Sequence, residues 1–186
     1  ASAQIINWIG LVSGVAASMT DAKALDAQYG AEKGLTSLAA ALAGGNLIYE
    51  SSGMTSALLG ASFEGFVLDN EMHGHTYRIL RGVEVSEATL DYDGICSAVL
   101  GEGHFLGGAA TIAAMERDYV YPTLADRDAP RAWADAGALT AWDRASVRVD
   151  DILGAPAPAY LDRETDAAIR AAFDIRHLQT SRKPAL

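Results

Sequence analysis

Apolar and polar positions alternate along this chain in blocks rather than residue by residue. Residues 1–8 read as the tail end of a helix, and "GLVSGVA" (10–16) is short, apolar and β-branched, the pattern of a buried strand. "SMTDAK" (18–23) is a polar loop. Residues 23–43 then place Ala31, Leu35, Leu38 and Leu42 at helical spacing, and "AGG" (43–45) supplies a C-cap glycine. "NLIYE" (46–50) is a second strand, followed by "SSGMTS" as loop. A second long helix is expected over 61–81, with Phe63, Phe66, Val67, Gly74 and Tyr77 as its inward face and Gly82 as its stop. Ser86 caps a helix running to Leu100. "GHFLG" (103–107) is the third strand-like run, and a helix near 109–119 follows it.

From Tyr121 onward the pattern changes to helices and connectors. These cover 129–136, 139–152 and 162–180, the last capped by Asp162, with "GAPAPAY" (154–160) as a stiff linker. Strand, loop, helix, repeated, predicts α/β architecture with parallel strands. About three strands do not make a closed parallel sheet, whose faces and edges must be covered. The expectation is therefore the C-terminal portion of a larger barrel, with residues 1–121 as the partial barrel and 122–186 as a helical extension. Open edges of this kind also predict a homo-oligomer.

In parallel α/β folds, function gathers in the loops after strand C-termini. Three polar loops fall there: "SMTDAK", "ESSGM" and "GEGHFLGG" (101–108). The last combines four glycines with Glu102, His104 and Phe105. It reads either as a site loop or as a glycine-rich turn whose histidine satisfies a carbonyl. Asp21 has two readings as well, a substrate contact or the N-cap of the 23–43 helix, and Lys23 has Asp26 as a possible partner.

Composition narrows the chemistry. Fourteen Lys and Arg stand against 24 Asp and Glu, a formal charge of −10. Nucleic acid is a poor partner for such a chain; a cationic ligand, a basic protein surface or simple solubility all suit it. Cys96 is the single cysteine, so no intrachain disulfide is possible, and a reducing, cytoplasmic setting is expected. "IINWIGLVSGVAASM" (5–19) is 15 residues long and interrupted by Asn7 and two glycines, too short and broken to span a bilayer. "DNEMHGH" (69–75) invites a metal reading, but His73 and His75 would point about 200° apart on a helix. Asp69–His73 and Glu71–His75 are instead expected as surface pairs four residues apart, and no metal site is expected. No phosphate-binding or dinucleotide fingerprint is present.

The stretches "MTDAKALDAQYGAEKGLTSLAAALAGGNLIYESSGM", "ASFEGFVLDNEM" and "GEGHFLGG", followed by "YPTLADR" and a later Trp, resemble the C-terminal part of the trimethylamine methyltransferase family. The resemblance spans nearly the whole chain. It implies a (β/α)₈ barrel, and methyl transfer from a methylated amine to a corrinoid (cobalamin) carried by a partner protein, with no cofactor bound directly. Founding members carry pyrrolysine. None is present here, so the resemblance points to the branch that uses quaternary amines such as betaines. For such a substrate, aromatic faces and carboxylates are the fitting contacts. Glu102 and His104 are the candidate catalytic residues; Asp21, Tyr49, Glu50 and Phe105 are the candidate substrate contacts. The competing expectations are a non-catalytic half-barrel that only associates with a partner chain, and a quaternary-amine binding module without turnover.

Overall fold

A computed structural model describes residues 1–156 and 160–173. Two compact units divide at Ile152 and Leu153.

The first unit opens with α1 (Ser2–Trp8), β1 (Gly14–Ala16), α2 (Ala27–Leu42) and β2 (Leu47–Tyr49). β1 and β2 pair in parallel, with Gly14, Val15 and Ala16 opposite Leu47, Ile48 and Tyr49. This βαβ unit matches the two strands expected from the apolar runs. Its register is fixed at the strand entrances, where Asn46 Oδ1 accepts from the Ser13 N–H at 2.9 Å and the Leu47 N–H donates to the Ser13 carbonyl at 3.0 Å. Asp26 starts α2, its carboxylate accepting from the Gln28 and Tyr29 N–H groups. The capping role expected of Asp21 therefore belongs to Asp26, because the chain from 17 to 25 is still looping back from β1. Lys23 donates to the Asp21 carbonyl rather than pairing with Asp26. Gly44, at φ +82°, ends α2 as the "AGG" pattern predicts.

Beyond β2 the expected simple loop is instead a small antiparallel pair, β3 (Met54–Thr55) with β4 (Gly60–Ala61). Ser56, Ala57 and Leu58 between them all have positive φ, 51°, 54° and 69°. Ser62 then caps α3 (Phe63–Arg81), and Gly82 at φ +68° stops it.

The expected helix from Ser86 to Leu100 is two helices, α4 (Glu87–Leu90) and α5 (Tyr92–Leu100). Asp91, left-handed at φ 44°, breaks them apart, while Ser86 caps the first as expected. The third strand is absent: "GHFLG" is a turn between α5 and α6 (Ala109–Asp118). Gly103 and Gly107 take positive φ, and the N–H groups of Gly101 and Gly103 are spent on the last carbonyls of α5, which an extended strand could not reach. Among the described residues, then, the sheets are one parallel pair and one antiparallel pair. α7 (Pro130–Asp135) and α8 (Ala141–Gly154) follow.

The second unit holds α9 (Arg163–Ala172), capped by Asp162 as expected and carrying an Arg170–Asp166 ion pair at 2.8 Å. The end of the helix expected to residue 180, and the middle of the "GAPAPAY" linker, lie outside the described residues.

The inward faces of α2 and α3 differ from the apolar stripes. On α2 the buried residues are Tyr29, Lys33 and Ser37, four apart, while Leu35 and Leu42 are exposed. On α3 they are Gly65, Asp69 and Thr76, while Phe63, Phe66 and Tyr77 are exposed. The two helices pack through a polar seam, which leaves large apolar faces uncovered among the described residues. No helix among the described residues is long and apolar enough to cross a membrane.

Candidate functional site

The loops that follow β1 and β2 meet. The Ser56 N–H donates to the Ala22 carbonyl at 2.9 Å and the Ala57 N–H to the Thr20 carbonyl at 3.0 Å. Between them lies a depression of about 400 Å³ walled by Met19, Thr20, Asp21, Glu32, Thr36, Ala57 and Leu58. Glu32 organises one wall. One of its carboxylate oxygens accepts from the Thr20 hydroxyl at 2.6 Å and the Asp21 N–H at 3.0 Å; the other accepts from the Gln28 amide at 2.9 Å. The Thr20 hydroxyl, then Gln28 and the Asp21 N–H, hold the Glu32 carboxyl below the usual carboxylate range. The depression thus presents two acids, Asp21 and Glu32, beside the apolar Met19 and Leu58. Such a wall carries a negative field that suits a cation.

Beneath the second loop lies a buried ion pair. Lys33 is fully buried and Asp69 is 1 % exposed, with Nζ and Oδ2 2.9 Å apart. The same Asp69 oxygen accepts from the Gly53 N–H at 2.7 Å and the Tyr29 hydroxyl at 2.8 Å. Lys33 Nζ also reaches the Met54 carbonyl at 3.3 Å and sits 5.0 Å from the centre of the Tyr29 ring. Burial first, then the hydrogen bond and the charge of Asp69, drive the Tyr29 hydroxyl far above its ordinary pKa, so it stays a donor.

The expected surface pairs along "DNEMHGH" are replaced by contacts between elements. Asp69 faces α2 as described. His73 lies between the Ser37 and Ser52 hydroxyls, 3.3 Å from each, and borders a cavity of about 240 Å³ between α2, α3 and β2. Glu71 accepts from the N–H groups of Leu124 and Ala125 at 2.7 and 2.9 Å, and from both the N–H and the hydroxyl of Thr123. Burial alone would raise the Glu71 carboxyl, but these donors together outweigh it and hold it below its ordinary value.

Glu102, His104 and Phe105 come together, lining a broad depression of about 660 Å³ between α5 and α6. His104 Nε2 stands 3.7 Å from Glu102 Oε2, and both are exposed. Asp21 borders the acid-lined depression instead. Tyr49 and Glu50 line neither: the Tyr49 ring lies over Gly14, and Glu50 holds a left-handed φ of 60° at the exit of β2. Among the described residues no hydrogen bond joins the 101–108 turn to either strand-following loop. Glu32 and Lys33 went unread in the sequence, and Asp69, expected on the surface beside His73, is buried against Lys33 instead. Their signal was polar spacing: Tyr29, Lys33 and Ser37 four apart on one helix, and Asp69, His73 and Thr76 matching them on the next.

These features define a helix-rich α/β protein with a βαβ unit and an acid-lined depression at its strand exits. The profile of the trimethylamine methyltransferase (MTTB) family matches residues 1–180, and the chain belongs to that family. It is 34% identical over 171 residues to the glycine betaine methyltransferase of Desulfitobacterium hafniense (strain Y51), covering 92% of this chain and 35% of that protein. It is 37% identical over 154 residues to the trimethylamine methyltransferase MttB of Methanosarcina barkeri, covering 82% of this chain and 30% of that one. A trimethylamine methyltransferase MttB of D. hafniense (strain DSM 10664 / DCB-2) is 32% identical over 169 residues, or 91% of this chain and 34% of its own length. The chain thus spans about a third of the length of these relatives.

Proposed function

We propose that this chain forms the C-terminal part of a (β/α)₈ barrel methyltransferase that moves a methyl group from a quaternary amine, such as a betaine, to a corrinoid carried by a partner protein. The observation that carries this reading is the meeting of two strand-following loops around Asp21 and Glu32, in a chain of the trimethylamine methyltransferase family. Further strands of the barrel would pair with the free edges of β1 and β2, and would cover apolar side chains such as Leu35, Leu42 and Leu47 that now stand exposed.

A quaternary ammonium carries its charge under methyl groups and offers no N–H. Carboxylates near apolar walls hold it by field, and an aromatic face adds about 1–2 kcal/mol when desolvated. Asp21 and Glu32 supply the field. The expected contacts Tyr49, Glu50 and Phe105 stand outside this depression, so the aromatic face for the ammonium would come from elsewhere in the full-length barrel. Glu102 and His104 stand on the open turn where Gly103 and Gly107 let backbone approach a bulky partner: a Cβ at either meets nothing within 4 Å. The corrinoid would supply the electron pair that takes the methyl carbon. The C–N pair stays with the departing tertiary amine, so no proton has to be donated to it. The protein's task is then orientation and exclusion of water.

The test mixes the full-length protein with a reduced corrinoid acceptor and a panel of methylated amines, and follows methylation of the acceptor in the visible spectrum. Turnover of glycine betaine or another quaternary amine is expected. Turnover of trimethylamine alone would overturn the quaternary-amine reading, and silence across the panel would overturn the catalytic one.

A further inference from the structure

We propose that Lys33 and Asp69 are positioning residues, whose buried ion pair holds the loop from Glu50 to Ala61 in the strained form that builds the acid-lined depression. The inference rests on the reading of those loops given above.

The argument begins with what the pair is not needed for. Burying two charges costs several kcal/mol per ion before their attraction repays it, and an apolar pair would join α2 to α3 as well or better. What an ion pair supplies and an apolar pair cannot is directional bonding to backbone. Both ions use that capacity on neighbouring residues of one loop. Asp69 takes the Gly53 N–H at 2.7 Å, and Lys33 gives to the Met54 carbonyl at 3.3 Å. Tyr29 completes the clamp through its hydroxyl on Asp69.

The loop needs such a clamp. Glu50, Ser56, Ala57 and Leu58 are all non-glycine residues at positive φ. Each such position costs on the order of 1–3 kcal/mol and persists only where its surroundings over-determine it. The stem of the loop is gripped at 53–54 by the ion pair. Its crown is gripped at 56–57 by the carbonyls of Ala22 and Thr20, which flank Asp21. Release of the stem therefore frees the crown, and with it the wall formed by Ala57, Leu58 and Asp21. Lys33 and Asp69 act on the depression only through this loop; they do not line it.

The variants that separate positioning from packing are Lys33→Met, Asp69→Leu and the two together, in the full-length protein, since leucine removes the acceptor for the Gly53 N–H. Either single change leaves a buried group without its charged partner and lowers the melting temperature. The double variant replaces the pair by neutral groups of similar size and regains much of that loss. If the pair merely packs, backbone amide exchange at Ser56 and Ala57 returns to wild type along with stability. Under the proposal it does not: exchange at those two amides stays at least about tenfold faster, while the helical amide of Ile95 is unchanged. Turnover of glycine betaine or trimethylamine, whichever the wild type uses, falls about tenfold in kcat/KM in the same variant. A double variant with wild-type exchange at Ser56 and Ala57 overturns the proposal. Should that variant not fold, Tyr29→Phe decides, since it keeps both charges; about threefold faster exchange at Gly53 and Ser56 is expected, and no change overturns. A wild-type protein that turns over neither amine would defeat the functional reading, while the exchange comparison still judges the clamp.

Discussion

Gly65 and Gly74 both lie within α3, and replacing each by alanine should move stability in opposite directions. Helix propensity alone favours alanine at both, by up to about 1 kcal/mol. At Gly74 nothing opposes it, because a Cβ there meets no heavy atom within 4 Å. At Gly65 the added carbon would stand 2.8 Å from the Tyr29 hydroxyl oxygen and 3.3 Å from Gly53 Cα. Neither neighbour can retreat cheaply. The hydroxyl is buried and bound to Asp69, and Gly53 is tied through its N–H to the same carboxylate. Overpacking of this kind costs about 1–3 kcal/mol, and loss of the Tyr29–Asp69 bond about 1 more. Packing therefore beats propensity, and Gly65→Ala should be less stable than wild type by about 1–3 kcal/mol while Gly74→Ala gains up to about 1. Urea unfolding followed by circular dichroism reads both as midpoint shifts at a common slope. A Gly65→Ala midpoint at or above that of wild type would refute the close approach of α3 to the loop and to Tyr29.

Glu71 gives a pH prediction. Its folded pKa is depressed, so its contribution is present above the unfolded value of about 4.3 and is lost as pH falls through the folded value. The gap in melting temperature between wild type and Glu71→Gln should narrow as pH drops from 7 towards 3; a constant gap would show that the carboxylate does not hold the Thr123–Ala125 segment. The cap assignment is equally testable. Asp26→Ala should cost about 1 kcal/mol while Asp21→Ala costs almost nothing in stability; the reverse order in thermal melts would return the capping role to Asp21.

Much of the element order was legible in local pattern. β1, α2, β2 and α3 follow from apolar runs, helical spacing and the stops at Gly44 and Gly82, all of which act within a few residues of chain. Ser86 and Asp162 announce their helices for the same reason: a cap is a bond between near neighbours. The approach of the chain beyond β2 to the "SMTDAK" loop fits the delivery of parallel strand exits to one side, but the contacts fall at Ser56 and Ala57, past "ESSGM", and "GEGHFLGG" does not join them. Motif order alone carried the family resemblance.

What only the tertiary structure decided were the partners chosen across distance. Periodicity scores apolar stripes, so it turned Leu35 and Phe66 inward, passed over Lys33 and set Asp69 on the surface beside His73. A charge as distant in sequence as Asp69 can make Lys33 the most buried side chain of its helix, and no local window contains that charge. The "GHFLG" run shows the complementary failure. Its composition allows a strand, but a strand exists only where another backbone accepts its hydrogen bonds, and the N–H groups of Gly101 and Gly103 go to the end of α5 instead. Glycines at 103 and 107 then set a turn, which keeps Glu102, His104 and Phe105 together while the chain passes from one helix to the next.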